Sequence, residues 1–140
     1  MAIEIGINVN LYLEDWSNGM KNSPDYVFQL MDGLQGCGIR RFMLPDTLGI
    51  LNPLQVQEFM GVMVLRYPDT HFDFHAHNDY DLATSNLFAA LKVGASGVHT
   101  TVNGLGERAG NAPLSSAVAI IHDMLKLQTG IDETKINRVS

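Results

Sequence analysis

A single cysteine, a shortage of basic residues and the absence of any long apolar run set the first limits on this 140-residue chain. One thiol, Cys37, cannot close an internal disulfide, so a packed core must hold the fold. No apolar stretch approaches the roughly 18 residues of a membrane-spanning helix. The opening MAIEIGINVN lacks the basic start and apolar centre of a signal peptide, which predicts a cytoplasmic protein. Nine Lys and Arg stand against fifteen Asp and Glu, a formal net charge of −6. Nucleic acid and membrane surfaces are therefore not expected as partners, because both demand a basic footprint. Small molecules remain. With 46% hydrophobic and 17% charged residues, the composition suits one packed domain and not a disordered chain. Cys37, inside Gly-Cys-Gly between an expected helix and an expected strand, reads as a buried or half-buried small residue.

What is present is a rhythm. Four strands rich in β-branched or aromatic residues, INVNLYL (7–13), IRRFML (39–44), HFDFHA (71–76) and GVHTTV (97–102), are each followed by a polar loop and an amphipathic stretch. Ser23 before Pro24 and Asn52 before Pro53 each supply a side-chain N-cap followed by a proline, whose missing N–H costs nothing at the first helical position. Gly36, Gly38, Gly94 and Gly97 fall where helices should end and turn back into strands. Alternation of this kind gives a parallel α/β sheet with outer helices, either an open flavodoxin-like sheet or part of a (β/α)8 barrel. A whole barrel needs about 250 residues, so this chain is expected to hold half of one at most.

Side chains alternate across a strand, so His71, Asp73, His75 and His77 share one face while Phe72, Phe74 and Ala76 share the other. The polar face should look into a barrel lumen, with His77 nearest the C-terminal rim where barrel enzymes keep their sites. Four inward ionisable groups are costly unless paired or ligated, and two imidazoles at i and i+2 can grip one ion from one side. The first strand repeats the pattern, with Asn10, Tyr12 and Glu14 inward and Val9, Leu11 and Leu13 outward. Glu14, Asp15 and the carboxylate of Pro45-Asp46-Thr47 each read, taken singly, as solvated strand-end groups. The loop NGLGERAGNAPL carries three glycines, but its spacing misses the dinucleotide fingerprint and no P-loop lysine follows. Its glycines instead allow close backbone approach to a ligand or metal. Asn111 offers a side-chain carbonyl there, and Glu107 and Arg108 read as a local ion pair.

HAHND followed by NGLGERAGN, and preceded by LED and LPDTLG at the two earlier strand ends, resembles the 2-isopropylmalate, homocitrate and citramalate synthase family. YLEDWSNG, NSPDYV and FHAHNDYDL resemble citramalate synthase most. The resemblance implies a metal-dependent TIM barrel that condenses acetyl-CoA with a 2-keto acid, as in branched-chain amino-acid biosynthesis. Residues 1–128 would be a half barrel, units five to eight, and 129–140 a truncated C-terminal tail. It makes His75 and His77 ligands of a divalent Mn, Zn or Mg, with Asn111 at or near the shell. Thr47 would contact the keto-acid carboxylate, Glu14 would be the catalytic acid near acetyl-CoA, and Tyr12 would wall a pocket suited to pyruvate or 2-ketoisovalerate.

The family's further metal carboxylate and its helical lid region have no counterpart among the matched motifs, and Ser115 stands where the family usually has Glu. The chain alone is thus expected to hold a site without turnover. It would pair as a homodimer or with a missing half-barrel, or it would serve as an inactive binding module. A lyase of the hydroxymethylglutaryl-CoA type shares HxHND but uses a cysteine in the last loop, which NGLGERAGN lacks.

Overall fold

The computed structural model describes residues 2–139, so Met1 and Ser140, the outer ends of the two segments drawn from the sequence, lie outside it. Four strands, β1 (Asn10–Tyr12), β2 (Arg41–Asp46), β3 (Phe72–Ala76) and β4 (Gly97–His99), form one sheet in the order β1-β2-β3-β4. All three pairings are parallel, and each strand lies beside its immediate predecessor. This sequential parallel order is that of a barrel wall, in which every crossover has the same hand and direction.

The curvature of a barrel is written into one bond. Tyr12 Oη on the first strand lies 3.0 Å from His99 Nδ1 on the last. In a flat sheet these strands would stand three spacings of about 4.8 Å apart with their side chains parallel, beyond the reach of a tyrosine and an imidazole. They meet because the sheet bends around its polar face. The architecture is α/β, four units forming part of a TIM barrel.

The outer face is the core. Phe42, Leu44, Phe72 and Phe74 are nearly fully buried beneath helices α1 (Trp16–Asn22), α2 (Pro24–Leu34), α3 (Pro53–Arg66) and α4 (Ala83–Lys92), with Met31, Val56, Met60, Met63 and Leu87 packed against them. Trp16 meets Phe59 and Phe74 edge-on, with ring centroids 6.4 and 6.5 Å apart. Beyond β4 follow α5 (Leu114–Ala119), a π-helical turn at Ile120–Met124 and a short α6 (Ile136–Val139).

Helix α3 begins as its sequence demands. Asn52 Oδ1 accepts from the N–H groups of Leu54 and Gln55, both at 3.0 Å, and Gln55 Oε1 accepts the Asn52 N–H at 3.1 Å. Such a reciprocal box is worth about 1 kcal/mol. Ser23 departs from expectation, because its side chain caps nothing. The unforeseen α1 ends there, and the Ser23 backbone serves both helices: its N–H donates to Gly19 O, and its carbonyl accepts from Tyr26. Gly36, Gly38 and Gly94 take the left-handed conformation expected of helix ends, but Gly97 does not. It opens β4, where a Cβ would strike the Asp73 carboxylate. Cys37 is exposed rather than buried, since it lies on the turn between α2 and β2 with its thiol directed at Gly33 O.

Candidate functional site

The site grows from the lumen face of β3. His75 and His77 leave the strand on the same side, and their Nε2 atoms lie 3.3 Å apart with the rings nearly perpendicular. Two neutral imidazoles can share that gap by one proton, and two ligand bonds of about 2.1 Å to one ion span the same distance. Burial, reinforced by the neighbouring His77 and His99, holds His75 down at about 4, so its ring is neutral at pH 7 and its lone pair is available. Its buried Nδ1 has no hydrogen-bond partner among the described residues.

Beside this pair the loop after β4 folds back on itself. His77 and Asn111 face each other in an isolated antiparallel bridge, and the Asn111 amide stands 3.4 Å from His77 Nδ1. Two glycines make this possible: a Cβ on Gly106 would collide with Asn111 Oδ1, and one on Gly110, at φ +90°, with Gly104 O. The expected close backbone approach is therefore within the loop itself. Two imidazoles and an amide make a donor set that suits a divalent ion. Among the described residues no group of three His, Cys, Asp or Glu completes a cage.

Below the pair, the lumen is polar and paired. Asp73, nearly buried, accepts from His71 Nε2 at 2.8 Å, with Arg41 Nη1 at 3.7 Å and His99 Nε2 at 3.6 Å from its other oxygen. His99 also carries the Tyr12 bond and lies 5.6 Å, ring to ring, from His75. Burial and the carboxylates of Asp73 and Glu14 raise the Tyr12 phenol, so it stays protonated at neutral pH. Neither His99 nor Arg41 was singled out from the sequence. Both obey the same i, i+2 alternation that marked the histidines of β3.

At the rim, Thr47 Oγ1 donates to Glu14 Oε1 at 2.8 Å and accepts the Asp15 N–H at 3.0 Å. Glu14 is close enough to His75 to favour that ring's protonation. The structure thus brings Glu14 and Thr47 together, joins Tyr12 to His99, and sets His75, His77 and Asn111 side by side.

Two sequence expectations fail here. Asp46 is not solvated but fully buried, its two oxygens accepting the Ile50 and Leu51 N–H groups at 3.0 Å each, which folds the loop behind Thr47. Asp15 is half-buried and bound through both oxygens by Asn18. The expected pair of Arg108 with Glu107 is present at 3.8 Å, and beside it stands a closer, bidentate pair with Asp79 at 2.7 and 2.8 Å that the sequence did not announce.

Comparisons with known proteins place the chain in a family. The homocitrate synthase of Sulfurisphaera tokodaii is 39% identical over 134 residues, covering 96% of this chain and 28% of that protein. The homocitrate synthase of Frankia alni is 35% identical over 139 residues, 99% of this chain and 38% of its own length. The chain thus spans well under half of the curated relatives it matches. In fold it resembles the HMG-CoA lyase of Bacillus subtilis, with a TM-score of 0.84 at 24% identity, over 99% of this chain and 49% of that one. Residues 1–140 match the HMGL-like family throughout. With the whole chain matched and the motif residues gathered at one rim, the chain belongs to the HMGL-like family.

Proposed function

We propose that this chain forms the metal- and keto-acid-binding half of an acyltransferase barrel that condenses acetyl-CoA with a small 2-keto acid, pyruvate or 2-ketoisovalerate. The observation that carries this reading is the pair of imidazole Nε2 atoms facing each other at 3.3 Å on the lumen side of the C-terminal rim, beside a hydrogen-bonded Thr47 and Glu14. His75 and His77 hold a divalent Mn, Zn or Mg, and Asn111 supports the shell from the glycine loop. When bound, such an ion polarises the ketone of the 2-keto acid as a Lewis acid.

The protein's own groups do the rest. Thr47 turns its one hydroxyl proton from Glu14 to the keto-acid carboxylate when that substrate binds, and Glu14, placed beside Thr47, handles a proton at the acetyl-CoA end. Tyr12, braced on His99, fills lumen space and limits the keto-acid side chain. The overall chemistry consumes one water: a carbon–carbon bond forms from the acetyl methyl to the ketone carbon, the thioester is hydrolysed, and a 2-hydroxy dicarboxylate and CoA leave.

The partner we propose is a facing half-barrel, which for this chain alone in solution is a second copy. β1 and β4 are open sheet edges, and each is flanked by an apolar groove. One, of about 450 Å³, lies between Leu11, Trp16, Tyr26 and Leu30; the other, of about 360 Å³, lies between Val98, Leu114, Val118 and Ile121. A twofold axis along the barrel would pair β1 of each copy with β4 of the other.

Elemental analysis after dialysis against Mn²⁺ or Zn²⁺ tests the metal reading, because it needs only this chain. Near-stoichiometric metal is expected in the wild type and none in His75→Ala/His77→Ala. Equal metal in the two proteins would overturn it.

A further inference from the structure

One side chain ties the rim together, and it is not among the groups assigned above. Arg108 lies in the loop after β4 with a left-handed backbone, φ +53°. From there its guanidinium reaches back over the two preceding units. Nε and Nη2 donate to the two Asp79 oxygens at 2.7 and 2.8 Å, and Nη2 donates also to the Thr47 carbonyl at 2.8 Å. Glu107 adds a looser contact at 3.8 Å. Asp79 is itself fixed: a Cβ on Gly49, in the loop after β2, would lie 2.8 Å from its Oδ2. The Asn78 N–H donates to Gly110 O at 2.9 Å, closing the same loops from the other side.

The Thr47 carbonyl that Arg108 grips and the hydroxyl that orients Glu14 belong to one residue. A planar guanidinium has the donors for a bidentate carboxylate pair and a third acceptor together, which an ammonium on a flexible stem does not reproduce. The chain of contacts therefore runs from the β3 loop through Arg108 to Thr47, and on to Glu14 and the Asp15 N–H at the end of β1.

We propose that Arg108 is a positioning residue that sets Thr47, and through it Glu14, against the substrate. It rests on the proposed keto-acid site for its ligand but not for its geometry, and the test keeps the two apart. The full chain, wild type and the Arg108→Gln and Arg108→Lys variants, is compared by residue-resolved amide hydrogen exchange and by Mn²⁺-dependent pyruvate binding. Asp15 is the reporter, since its N–H rests on Thr47 Oγ1 and Arg108 makes no direct hydrogen bond to it.

In Arg108→Gln, exchange at Asp15 should rise about tenfold, the scale on which losing one charge-assisted hydrogen bond shifts a local opening. Amides of β2 and β3 should keep their wild-type rates. Arg108→Lys should recover only part of the protection. Where the wild type binds pyruvate, Arg108→Gln should weaken that binding by about tenfold and leave Mn²⁺ affinity within about twofold. Wild-type exchange at Asp15 in Arg108→Gln would overturn the proposal, for a residue that merely anchors its own loop would leave that amide untouched. A wild type that binds no pyruvate would count against the synthase reading alone, and the exchange rates would still decide the role of Arg108.

Discussion

Mild acid should destabilise this protein through one ring. His75 titrates at about 4 in the folded chain because burial, then His77 and His99, oppose its charge, whereas an exposed histidine titrates near 6.5. Between these values the unfolded chain binds the extra proton, so unfolding takes one up and stability falls as pH falls through the window. The contribution is fully present above about pH 6.5 and is exhausted near pH 4.

From about pH 7.5 to about pH 5 the two-pKa expression gives a loss of about 2 kcal/mol. The ring is half-buried, and solvent screening reduces this to about 1 kcal/mol. Urea unfolding in metal-free buffer at both pH values measures it, and His75→Phe, which keeps a ring but cannot titrate, supplies the reference. The wild type should lose about 1 kcal/mol more than the variant. An equal loss in the two proteins would refute the reasoning, and so would an NMR titration that placed His75 above about 6.

Other expectations follow from the same contacts. Asp46→Ala strips two N–H groups, one buried and one half-buried, of their acceptor and should cost about 3 kcal/mol in urea unfolding, with Asp46→Asn costing less because one acceptor oxygen remains. Gly106→Ala drives a methyl into Asn111 Oδ1, so calorimetric Mn²⁺ affinity should fall about tenfold with an unchanged circular dichroism spectrum. Light scattering at tens of micromolar should give about twice the 15.4 kDa chain mass; a monomer would end the closed-dimer proposal.

The strands were legible because their two faces differ in kind. HFDFHA puts phenylalanines on one side and ionisable groups on the other, and the structure buries the first and turns the second inward. Helix α1 was not legible. Its sequence, WSNGMKN, holds a glycine and two asparagines, poor helix formers, and the turn stands on the burial of Trp16 and Met20 and the Asp15–Asn18 bonds. The fate of Arg108 was equally hidden. Glu107 is its neighbour in sequence, yet the bidentate partner is 29 residues away, and only the folded loops bring the two together. For Asp46 the deciding fact was that its own loop returns two N–H groups to it. No spacing rule announces that.

The bond between Tyr12 and His99 bears on how this polypeptide acquires its shape. Each strand pairs with the one made just before it, so the sheet can assemble in order as the chain is synthesised. The Tyr12 contact spans 87 residues and must wait for the fourth strand, so the bending of the sheet is fixed after its pairing. Loop closure over such a length is slow relative to neighbouring contacts. A fluorescence or exchange signal at Tyr12 would therefore time the end of folding, while signals from the Phe42–Phe72 contact at the centre of the sheet would time the strand pairing that precedes it.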